Sequence, residues 1–147
     1  MHDRQIQQYL PFAIKVAEAT LCSKHKKKQE FHFTKKWRAQ FSNFSGACAN
    51  ASFKSIVAQY CEAEEADIPL KEVMIMIDQT VQTKREKSDQ KPCSARTISD
   101  IETELFSENC SKSMQREYIT AAAALKYAMD IFRWEDKKDG ESASASE

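Results

Sequence analysis

Glycine and proline are close to absent from this chain, with two and three in 147 residues, where average usage is roughly 7% and 5%. Most tight turns and two-residue hairpins depend on them, so a many-stranded sheet is disfavoured and a nearly all-helical fold is expected. Gly46 and Gly140 stand alone, and no glycine-rich strand-to-helix turn can be assembled to cradle a phosphate. Long apolar runs are missing too. No window nears the roughly 18 residues that span a bilayer, and Met1–Gln5 lacks the apolar core of a signal peptide. The expectation is a cytoplasmic protein with no membrane partner.

Cysteine pairs and distributed histidines are equally lacking. The five cysteines, at 22, 48, 61, 93 and 110, form an odd set without a close pair, which gives neither a disulfide framework nor a redox or zinc Cys-x-x-Cys motif. They read as reduced thiols, with Cys48 and Cys61 in the core. All three histidines fall within the first 32 residues, so no downstream Cys or Ser has a specified base. The spacing of Cys22, His25 and His32 matches no common zinc arrangement and lies inside a lysine run. The acidic run Glu62, Glu64, Glu65 and Asp67 ends at Pro69 and contains no calcium-loop pattern. A non-enzymatic chain with no metal and no cofactor is expected.

What the chain does have is charge, and its order is lopsided. Residues 1–54 hold ten Lys/Arg against three Asp/Glu, about +7, and residues 55–147 hold twelve against nineteen, about −7, so the total is zero. Lys24, Lys26, Lys27, Lys28, Lys35, Lys36 and Arg38 fall within fifteen positions, interleaved with Phe31, Phe33 and Trp37. That mixture suits a phosphate backbone better than a small-molecule pocket. A solvated lysine-rich loop is the plainer alternative.

Apolar spacing divides the chain into five to six helices in one bundle over residues 1–136. A first helix over 5–22 carries Ile6, Leu10, Ala13, Ala17 and Leu21, with Pro11 expected to kink or restart it. Residues 23–36 read as a loop into a second helix bearing Trp37, Phe41, Phe44 and Cys48. A third spans 52–65, and a fourth starts at Pro69 and carries Leu70, Val73, Met74, Ile77 and Val81. Residues 82–96 read as an exposed loop, and Ser99 with Glu102 as the capping box of a short fifth helix. The last helix, 113–136, buries Tyr118, Ala122, Leu125, Met129 and Phe132. Residues 137–147 are expected to be a disordered tail.

That final helix also carries a pattern. Arg116–Thr120, then Ala123-Ala124-Leu125-Lys126-Tyr127 and Ile131-Phe132-Arg133-Trp134, resembles the C-terminal signature of the small helical subunit of Cmr complexes, the type III-B CRISPR effectors. Arg4 ahead of the Ala13/Val16/Ala17 stripe is similar to that family's opening helix. Lys35-Lys36-Trp37 running into Phe41-Ser42-Asn43-Phe44 is similar to its basic-aromatic helix, although Asn50–Phe53 stands where the family has a Gly-Leu turn.

The resemblance implies a non-catalytic subunit that stacks head to tail with copies of itself among other Cmr effector subunits and touches crRNA and target RNA through phosphates. Such contacts position a duplex and leave sequence choice to base pairing. Matching the basic-aromatic motif assigns Lys35, Lys36 and Arg38 to RNA, and the opening-helix match adds Arg4. Charge alone adds Lys24, Lys26, Lys27 and Lys28. Glu62, Glu64, Glu65 and Asp67 are the expected contact with a neighbouring subunit. The small subunit of the related Csm complexes, and a cytosolic helical adaptor unrelated to RNA, are the alternatives.

Overall fold

Four consecutive alanines set the centre of the fold. In the computed structural model, which describes residues 3–27, 32–64, 69–87 and 91–132, with the side chains of residues 3 and 25–27 left out, Ala121–Ala124 are all buried. Tyr118, Leu125, Ala128 and Met129 are buried with them. A helix apolar on nearly every side belongs in the middle of a bundle, and side chains this small let neighbouring backbones come close.

The six helices among the described residues are α1 (Asp3–Lys27), α2 (Lys35–Asn50), α3 (Phe53–Cys61), α4 (Leu70–Glu86), α5 (Ile98–Leu105) and α6 (Lys112–Phe132). No strand occurs among them, as the scarcity of glycine and proline requires. Both α1 and α2 pack along α6, while α4 closes the other side and α3 and α5 pack on α4.

Three contacts fix the directions. Lys24 near the end of α1 meets Glu72 near the start of α4, so those two helices are antiparallel. Arg38 at the start of α2 meets Asp130 near the end of α6, which makes α2 and α6 antiparallel as well. Tyr60, late in α3, donates a 3.0 Å hydrogen bond to the carbonyl of Gln40, early in α2. Consequently the ends of α1, α3 and α6 and the starts of α2 and α4 gather at one end of the bundle.

Several boundaries differ from expectation, for local physical reasons. Helix α1 runs unbroken through Pro11 to Lys27, taking in the residues from 23 that read as loop. Pro11 and Gln7 both face solvent, so the carbonyl that loses its donor points to water. Its buried stripe is Ile6, Tyr9, Ala13, Val16 and Ala17, with Leu10 and Leu21 only half-buried.

Helix α4 continues to Glu86, past the expected stop at 82. Its polar last turns bind the next segment: Gln79 donates to the Cys93 carbonyl at 2.7 Å, and Thr83 Oγ1 accepts from the Cys93 amide at 3.1 Å. Helix α5 is capped by Thr97, whose Oγ1 accepts from the Asp100 amide, and Ser99 lies inside the helix. Residues 133–147, including the expected tail from 137, lie outside the described residues.

A buried polar knot ties these pieces together. Asp78 has no exposed surface and accepts from the Tyr118 hydroxyl at 2.5 Å and from both Nη2 and Nε of Arg96, at 2.6 and 3.0 Å. Arg96 also pairs with Glu104 at 2.6 Å, and Arg85 joins Glu104 and Glu117 at 3.5 and 2.9 Å. Burial, with the Asp78 carboxylate alongside, raises the Tyr118 hydroxyl well above its usual range. The hydrogen bonds to Asp78 likewise hold the Arg96 guanidinium protonated.

Candidate nucleic-acid interface

The end where α1 finishes and α2 begins is built on aromatic anchors. Phe33 and Trp37 are buried, at 1% and 3% exposure, and meet edge to face with centroids 5.2 Å apart. Phe33 also touches Phe132 of α6, at 6.2 Å. Trp37 is therefore core, which leaves it no face for stacking on a base. Pinning these two rings to the bundle turns Lys35 and Lys36, the first two residues of α2, out to solvent.

The electrostatics of this helix start run against the usual preference. Acids favour a first turn because the helix dipole places partial positive charge there, yet the first turn of α2 holds no acid and two lysines, with Arg38 next. Thr34 precedes it without a side-chain cap hydrogen bond, and its Oγ1 is buried without a hydrogen-bond partner. Lys24 approaches from α1, its ammonium 5.8 Å from the Trp37 ring. An open concavity of about 560 Å³ lies here, lined by Lys35, Arg38, Ala39 and Asp130.

Lys24 and Arg38 are engaged by carboxylates of distant helices. Lys24 lies 2.6 Å from Glu72, and Arg38 Nε lies 2.6 Å from Asp130. Those acids are 48 and 92 residues from their partners in sequence, so no local pattern reveals the pairs. Asp130 is held by Arg38 across the bundle, from the far end of the chain.

Of the residues read from sequence as RNA contacts, Lys24, Lys35, Lys36 and Arg38 come together at this end. Arg4 does not join them: it stands about 30 Å away along α1, given 1.5 Å of rise per residue. The side chains of Lys26 and Lys27, and all of Lys28, lie outside the described residues. Glu62 and Glu64 are exposed just past α3, at the same end as the lysines rather than opposite them, while Glu65 and Asp67 lie outside the described residues. The acidic and basic halves of the sequence thus meet in space at one end of the bundle.

Thiol chemistry has little support from the geometry. Burial pushes the Cys48 and Cys61 thiols up to about 12, which holds them protonated and non-nucleophilic. Among the described residues no three His, Cys, Asp or Glu gather as a metal would require, and no helix is long and apolar enough to cross a membrane. No family model matches the chain, and neither a curated protein nor a solved structure matches it.

Proposed function

We propose that this chain is a non-catalytic RNA-binding subunit of an RNA-guided effector, the role its resemblance to the Cmr small subunit implies, and that the start of α2 holds the phosphate backbone. One observation carries the reading: Lys35 and Lys36 are both solvent-exposed on a first turn without acids, where helix dipole and side chains add to one positive potential. Lys24 stands beside them in a half-buried pair with Glu72, and Arg38 in a more open pair with Asp130, which a phosphate can replace at small cost. Glu62 and Glu64 are the surface offered to a neighbouring subunit, so RNA and neighbour would meet this chain at the same end.

Fluorescence anisotropy of a labelled single-stranded RNA across a salt series tests this. The double variant K35E/K36E should flatten the slope of log K against log salt by about 1.4, about 0.7 for each lost cation. Wild-type affinity indifferent to salt, or a variant that binds as wild type does, overturns the reading.

One observation favours a second reading, a protein adaptor. Tyr127 and Ile131 are exposed at 42% and 51%, a helical turn apart, and Tyr127 edges a shallow trough of about 280 Å³ floored by Ser42, Ser45, Gly46 and Ala123. Recovery of a defined protein partner after nuclease treatment, with Tyr127→Ala abolishing it, would select that reading.

A further inference from the structure

We infer a second RNA-backbone site at the opposite end of the bundle, in the valley where the start of α1 and the start of α6 meet the end of α4. The inference rests on the RNA-binding reading above and extends it to residues with no part in the lysine cluster.

Gln5, Gln8 and Tyr9 lie on one face of α1, and Ser113, Arg116, Glu117 and Thr120 on one face of α6, at the spacings that bring helix side chains into line. Together with Lys84 of α4 they enclose a concavity of about 240 Å³. Tyr9 and Thr120 are buried at its floor, while Gln5, Gln8, Ser113 and Arg116 are exposed around it.

Two cations face this space. The Lys84 ammonium sits 4.9 Å from the centroid of the Tyr9 ring, a position that steadies the side chain in the lining of the valley. Burial, and then the nearby Glu117, raises the Tyr9 hydroxyl to about 12, so it stays neutral and does not oppose an anion. Glu117, the one acid of the lining, is held by Arg85 at 2.9 Å, which offsets its charge.

Around the cations stand groups that both donate and accept: the Gln5 and Gln8 amides and the Ser113 hydroxyl. Phosphate oxygens use the donors and a ribose 2′-hydroxyl uses either, so the chemistry fits a ribonucleotide backbone. Arg4, exposed one turn before Gln8 on α1, flanks the same valley and finds its role here rather than with Lys35 and Lys36. The two sites are about 30 Å apart along α1. A single RNA strand laid along α1 would therefore be held at both ends of the bundle.

Salt-dependent RNA binding by the full chain decides the matter. The variant K84E/R116E should flatten the log–log salt slope by about 1.4 on an RNA long enough to reach both ends. Affinity for an RNA of about four nucleotides, near the lower limit of single-strand sites, should change far less, because the other site still holds it. K84Q/R116Q removes the same two cations and should flatten the slope by about 1.4 as well while keeping wild-type helicity, which separates lost contacts from lost folding.

If K84E/R116E matches wild type while K35E/K36E is impaired, the second site is wrong and the RNA-binding reading stands. If wild type fails to bind RNA, both fall together. Pyrophosphate binding that K84E/R116E abolishes, with RNA binding untouched, would make the valley a small-anion pocket and overturn the proposal.

Discussion

Two sets of ion pairs hold this bundle, and they differ in what surrounds them. In the knot on α4, Asp78 is wholly buried and every oxygen it presents is taken by Arg96, Tyr118 or Gln82. At the charged end, Arg38 and Asp130 touch at the same 2.6 Å, yet their side chains are 35% and 37% exposed. Equal distances conceal unequal energies. Removing one partner of a buried pair destabilises by about 3–5 kcal/mol, whereas an exposed pair contributes about 0–1 kcal/mol. The knot therefore holds α4, α5 and α6 together, and its central acid, Asp78, is closed to a ligand. The Arg38–Asp130 pair holds little and can be exchanged for phosphate.

The hardest way to break that contrast is at Asp78. Asp78→Ala leaves the Tyr118 hydroxyl and the Arg96 guanidinium without their shared acceptor, and should lower unfolding free energy by about 3 kcal/mol or more. Urea denaturation at an unchanged slope measures it. A loss under about 1 kcal/mol would mean that the knot is no stronger than the exposed pairs.

Alkaline pH probes the same knot more gently. Tyr118 is raised in the fold, as are Tyr9, Tyr60, Cys48 and Cys61, each of these four to about 12. A group raised on folding contributes stability that is whole below its unfolded value, about 8.5 for thiols and 10 for phenols, and is lost as pH climbs toward the folded value. The urea midpoint should thus hold steady through pH 8 and fall between about pH 9 and 12. Tyr118→Phe should lose about 1 kcal/mol at pH 7 and fall less steeply above pH 10. An equally steep fall would remove Tyr118 from the account.

Which of these features a reader of the sequence could see depends on how far apart their parts lie. The helices were legible because the stripes of α2, α3, α4 and α6 repeat every three to four residues, and Trp37, Phe41 and Phe44 are buried as that spacing requires. The lysine cluster was legible because it is local. Boundaries failed where polar residues are used in packing: Thr83 looks like loop until Cys93 comes back to it. The knot was invisible, since Asp78, Arg96 and Tyr118 are 18 to 40 residues apart, and the motif that holds Tyr118 points to neither partner. The acids that meet the lysine cluster were hidden in the same way. Charge summed along the chain gave two poles, and the antiparallel course of α1 and α4 folds those poles onto each other.

The gentlest test lies at that meeting point, and it asks whether the exposed pairs are structural at all. Asp130→Asn keeps the shape of the side chain and takes the carboxylate from Arg38. If the pair is only a surface contact, stability should move by no more than about 0.5 kcal/mol. Arg38 would then have phosphate as its strongest remaining acceptor, so the RNA salt slope should steepen by about 0.7, one added contact, and Arg38→Ala should cancel that gain. A loss of about 2 kcal/mol with RNA binding unchanged would instead put Arg38 and Asp130 in the same class as Arg96 and Asp78, and the division between structural and exchangeable charge in this protein would fail where it matters for function.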